Sequence, residues 1–107
     1  MGLLKSIFSK NDEENLLNSG NKKYNQRDFQ GAISDFSTLI QLNNLSFPAY
    51  YGRALSKYAL KDTAGAKEDF EFLYQHKPDY SSRILYYLGK LEAEIKNFQK
   101  GIDYFEA

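Results

Sequence analysis

Apolar and aromatic positions recur along this chain at helical intervals, and they recur again at a longer period. Shifting the sequence by 34 residues sets Gly20 on Ala54, Lys23 on Lys57, Tyr24 on Tyr58 and Asp28 on Asp62. The same shift sets Ala32 on Ala66, Asp35 on Asp69, Phe36 on Phe70 and Leu39 on Leu73. A further shift of 35 sets Ala54 on Gly89, Asp62 on Asn97, Ala66 on Gly101 and Phe70 on Phe105. The pattern predicts six helices in three antiparallel pairs: 12–25 with 29–42, 47–59 with 63–76, and 81–95 with 98–107. The units run about 12–46, 47–81 and 82–107, preceded by an arm or short amphipathic helix over 1–11.

Each class of match has a physical meaning. Gly20, Ala54 and Gly89 in the first helices, and Ala32, Ala66 and Gly101 in the second, are small enough to let paired helices approach closely. Phe36, Phe70 and Phe105 follow the second small position by one turn and fill the space around that contact. Asp28, Asp62 and Asn97 precede the second helix, where a short acceptor caps free backbone N–H groups. Phe29 and Phe98 come next and are expected to fold back onto the pair. Asn43-Asn44 and Lys77-Pro78-Asp79 separate the pairs, and Pro48 sits in a first helical turn, where a missing N–H is harmless.

Composition supports an all-α fold. There is no valine and only Thr38 and Thr63 stand for threonine, so strand-favouring β-branched residues are scarce. Aromatics make up 16% of the chain, which predicts a core filled by rings. The 14 basic and 14 acidic side chains cancel, giving no long-range attraction to nucleic acid or acidic membrane. With no cysteine, disulfides, iron–sulfur clusters and thiolate zinc sites are excluded. No apolar run reaches a membrane span, and a cytoplasmic location is the default expectation.

Three helix–turn–helix units of about 34 residues, with small residues at these offsets and a ring after the second, resemble the tetratricopeptide repeat. The stretches that carry the resemblance are Gly20-Asn21-Lys22-Lys23-Tyr24 leading into Asp28-Phe29-Gln30-Gly31-Ala32-Ile33, and Ala66-Lys67-Glu68-Asp69-Phe70 leading to Pro78. It covers about Asn11 to Ala107. The large aromatic usual early in the first helix reads Leu16, Tyr50 and Leu85 here, a departure at the two leucines. The chain departs again at Ser19 and Arg53, where leucine is usual, and these changes suggest looser packing. The resemblance implies a short right-handed superhelix (an α-solenoid) whose first helices line a concave groove, and a non-catalytic adaptor that holds a peptide or protein segment there.

On the family pattern the groove residues are Asn21 and Tyr24, with Leu17 and Asn25, in the first unit. Tyr51, Leu55 and Tyr58 follow in the second, and Arg83, Tyr86 and Lys90, with Glu94, in the third. Tyr87 belongs to the same face of the third unit, turned toward the neighbouring helix. This surface suits a segment with apolar and acidic residues; the alternative is that several of the tyrosines are core between units. Repeat proteins that grip the acidic tails of heat-shock chaperones resemble one another in a Lys, Asn, Asn, Lys, Arg clamp. Here those places read Leu17, Asn21, Gly52, Arg83 and Tyr87, so the clamp is absent.

Catalytic signals are weak. His76 is the only histidine and reads as a cation at a helix carboxyl end. The acidic pairs read as solvated faces, and no phosphate loop or nucleophile motif occurs, so no enzyme, cofactor or metal is expected. Met1-Gly2-Leu3-Leu4-Lys5-Ser6 fits the N-myristoylation pattern, but the motif is short, and a helix or arm against the first pair is the preferred reading. Intact mass from native cells decides: an unmodified Gly2 ends the lipid idea. Ile95, Ile102 and Phe105 form an edge with no following unit, which suggests homodimerisation as a second possibility.

Overall fold

The computed structural model describes residues 9–76 and 81–106, with side chains of the last helix described from 82 to 96. Among these residues there are five helices and no strand: α1 (Lys10–Asn25), α2 (Phe29–Leu42), α3 (Phe47–Ala59), α4 (Thr63–His76) and α5 (Ser81–Glu106). Each helix packs on the next, and α1 also reaches α3.

α1 begins before residue 12. Ser9 accepts a hydrogen bond from the Asp12 N–H, and the Asp12 carboxylate accepts one from the Ser9 N–H at 2.8 Å. This reciprocal capping box fixes the start at Lys10.

The turns within the two hairpins are built alike. Arg27 and Lys61 sit at positive φ, 65° and 64°. Asp28 N–H donates to the Lys23 carbonyl and Arg27 N–H to the Tyr24 carbonyl; Asp62 and Lys61 donate in the same way to Lys57 and Tyr58. These are Schellman closures. The carboxylates of Asp28 and Asp62 then accept the N–H groups of Gly31 and Gly65, each at 3.0 Å, and start the second helix. A left-handed residue with a side chain is strained by about 1–2 kcal/mol. Lys61→Gly is therefore expected to stabilise the fold by about 1 kcal/mol, a rise of roughly 4–8 °C in Tm by calorimetry. An unchanged or lower Tm contradicts that strain.

Two apolar clusters form the core. In the first, fully buried Phe36 lies between Gly20 of its own pair and Gly52 of the next. A Cβ on either glycine would come within 2.5–2.9 Å of that ring, so glycine is required at both places. In the second cluster Phe70 packs beside Ala54, meets Tyr51 edge-on at 6.3 Å, and stacks parallel on Tyr87 at 4.9 Å. Tyr50 stacks on Phe72 at 4.1 Å, filling a place where the family-like pattern varies.

Ser19 and Arg53 do not loosen the packing. Ser19 donates to Asp35 at 2.6 Å, and Lys23 reaches the same carboxylate at 3.0 Å. One period later Arg53 donates through Nε and Nη2 to the two oxygens of Asp69, each at 2.8 Å, and Lys57 approaches at 3.4 Å. The Asp69 hydrogen bonds raise the Arg53 pKa against the opposing effect of burial. Arg53 also donates to Ser37 on α2 at 3.2 Å, tying the hairpins together.

The expected third pair is not formed. α5 runs unbroken through Asn97 to Glu106, so that residue caps nothing, and no separate helix starts at 98. Residues 77–80, including the Pro78 break, lie outside the described residues, as do the side chains of Phe98, Ile102 and Phe105 and the surroundings of Gly101. Gly89 therefore marks no close contact: a Cβ there meets no atom within 4 Å, and Leu85 beside it is 52% exposed. Gly89→Ala is expected to stabilise α5 by about 1 kcal/mol through helix propensity alone. A loss of stability in urea denaturation would mean that Gly89 is packed after all.

Candidate binding groove

The odd-numbered helices bring five tyrosines together. Tyr87 on α5 is the centre. Burial first, and then the nearby hydroxyls of Tyr51, Tyr24, Tyr58 and Tyr86, push its pKa up. Tyr58 meets the Tyr87 ring edge-on at 5.5 Å and Tyr86 does so at 5.4 Å. Edge-to-face packing leaves the rings at steep angles, Tyr58 and Tyr87 half-buried and Tyr86 60% exposed.

Between α3 and α5 lies an open cleft of about 420 Å³, lined by Tyr51, Ser82, Arg83, Tyr86 and Tyr87. The Lys90 ammonium stands over the Tyr86 ring, 5.2 Å from its centroid. Its pKa is raised, chiefly by hydrogen bonding to the Tyr86 hydroxyl and next by the charge interaction with Tyr58. Among the described residues neither Arg83 nor Lys90 is in an ion pair; the carboxylates of Asp35, Asp69, Glu71 and Glu92 are taken by other cations.

The remaining predicted positions do not line this cleft. Asn21 is exposed on α1, apart from the cleft. Tyr24 meets Phe29 edge-on at 5.4 Å, closing the first hairpin as expected of Phe29. Leu55 packs against the second core and so serves the fold. Leu17 lines a different cleft, between the start of α1 and the α2–α3 loop, with Glu13, Glu14 and Asn43. Tyr87, placed on the groove face but turned toward the neighbouring helix, both lines the α3–α5 cleft and stacks in the core. The signal for it was present: it stands 35 residues after Gly52, the residue that flanks the preceding phenylalanine.

His76 behaves as a helix-end residue, its Nδ1 2.9 Å from the Phe72 carbonyl and its ring stacked on Phe72. Ile95 is half-buried on α5, and the rest of the edge suggested for homodimerisation lies outside the described side chains. So does the Gly2 segment. No helix among the described residues is long and apolar enough to cross a membrane.

No family model and no solved structure matches the chain. Among curated proteins it is 29% identical over 91 residues to Protein STIP1 homolog of Dictyostelium discoideum. The match covers 79% of this chain and 16% of that protein, so the chain spans about a sixth of its relative's length.

Proposed function

We propose that this chain is a non-catalytic, cytoplasmic protein-interaction scaffold of the tetratricopeptide type, and that its concave face holds a segment of another protein. The observation that carries the reading is the tyrosine cluster flanked by Arg83 and Lys90, neither of which is in an ion pair among the described residues. Tyrosine offers large contact area at low entropic cost, and the Arg83 guanidinium supplies a fork for an incoming carboxylate. The in-phase hairpins and the similarity to Protein STIP1 homolog favour a helical-repeat adaptor over an enzyme. No nucleic-acid partner is proposed, because the net charge is zero.

The test is an array of short synthetic peptides of graded charge and aromaticity, probed with the wild type and with Tyr58→Ala/Arg83→Ala. Circular dichroism establishes that the variant is folded. Binding by the wild type and at least a tenfold loss in the variant is the expected result. An array that binds neither protein, or both equally, removes the groove as the site.

A further inference from the structure

The third unit keeps the register of a hairpin, although no hairpin forms there. In the two hairpins that do form, residues 16 apart in sequence meet across the pair. Ser19 donates to Asp35 and Gly20 lies against the Phe36 ring; Arg53 donates to Asp69 and Ala54 packs beside Phe70. One unit later the same spacing couples Leu88 with Tyr104 and Gly89 with Phe105. The polar couple changes at both members together, to leucine and tyrosine. α5, however, is one helix from Ser81 to Glu106. Residues that far apart in a straight helix are separated by about 24 Å along the axis, so neither couple can form within it.

The face of α5 that these couples would cover is open. Gly20 and Ala54, at the place of Gly89 in the first two units, are buried, whereas Gly89 is exposed. Tyr50, at the place of Leu85, is half-buried and stacks on Phe72, whereas Leu85 is 52% exposed. Closing the hairpin within one chain would put Lys96 in the left-handed turn that Arg27 and Lys61 make, a strained place for a residue with a side chain. An unbroken α5 avoids that turn, and a second copy can supply the contact instead. An antiparallel contact that sets residue 88 on residue 104 also sets 104 on 88, so it closes as a symmetric pair. We infer that the α5 face around Leu85 and Gly89 is an interface with a second copy of this chain. The two α5 helices lie antiparallel, and residues 98–106 of each complete the hairpin of the other. Alanine at 89 is compatible with this contact, because Ala54 holds the same place in the second unit. Neither Leu85 nor Gly89 lines the α3–α5 cleft, so the interface is separate from the groove.

The chain has no cysteine, so introduced thiols report cleanly. An isotopically labelled Gly89→Cys chain is mixed with an unlabelled Gly101→Cys chain, left to exchange, and oxidised mildly. Mass spectrometry is expected to show the mixed disulfide dimer in at least tenfold excess over either same-site dimer. Same-site products in equal amount overturn the register. In the double variant Gly89→Cys/Gly101→Cys the disulfide is expected between copies; closure within one chain means that α5 folds back and overturns the inference. Light scattering across a dilution series is expected to give twice the mass of one chain for the wild type. Leu85→Glu changes a side chain that is half-exposed in the single chain, so its circular dichroism should be unchanged while its dimer dissociation constant rises at least tenfold. A wild type that stays monomeric at every concentration, or a folded Leu85→Glu variant that dimerises equally well, also overturns it.

Discussion

Phe36→Ala is expected to be the most damaging single change in the first hairpin, lowering stability by about 3–5 kcal/mol. The ring is fully buried and is gripped from two sides by backbone rather than by side chains that could collapse inward. Because domains of this size are stable by only about 5–15 kcal/mol, the urea midpoint should fall by about a fifth or more. Gly20→Ala tests the same contact from the other side. In an open helix, alanine for glycine would stabilise by about 1 kcal/mol. Here the new methyl meets the Phe36 ring, and overpacking of this kind costs about 1–3 kcal/mol. A stabilised Gly20→Ala would show that the ring does not sit where the structure puts it.

Arg53→Met should come next. The Asp69 side chain is only 4% exposed, and its main partner is the Arg53 fork. Removing one member of a buried pair strands the other, and with Lys57 left as a distant partner the expected loss is about 2–3 kcal/mol. The double change Arg53→Met/Asp69→Leu leaves no buried carboxylate without its partner, and the Lys57 side chain, 20% exposed, can turn to solvent, so the change should recover most of that loss. Chemical denaturation of the two variants and of Asp69→Leu completes the cycle. If the double variant is no more stable than Arg53→Met, the pair is not an isolated unit.

Much of this architecture can be read from the repeat, and the reasons are local. Asp28 and Asp62 announce helix starts because a short acceptor is needed there, and Gly31 and Gly65 three residues on leave room for it. Arg27 and Lys61 are another matter: nothing in their chemistry marks a left-handed turn, so the hairpin closures are visible only in the backbone. Ser19 and Arg53 were read as faults in the pattern because each was judged alone. Their partners, Asp35 and Asp69, repeat in phase 16 residues later, and the pairs make sense together. Asn97 misled for the opposite reason. It matches Asp62 in the alignment, yet a cap acts only where the preceding helix ends, and α5 does not end there. In the groove, the clustering of tyrosines followed from helical spacing. The dual position of Tyr87, stacked on Phe70 of α4, and the packing of Leu55 against the second core are tertiary contacts that helical spacing alone does not give.

The place of Phe36 between Gly20 and Gly52 has a consequence for how such an array can grow. Gly52 belongs to the second unit but makes room for the ring of the first, and 35 residues later Tyr87 meets the ring of the second face to face. Duplicating the second unit would set a glycine against Phe70 and leave a hole the size of an aromatic ring. Deleting it would drive a tyrosine into the space that Phe36 already occupies. The units look alike in sequence, but each is fitted to its neighbour, so the order of the array is inherited as a whole and its modules cannot be shuffled.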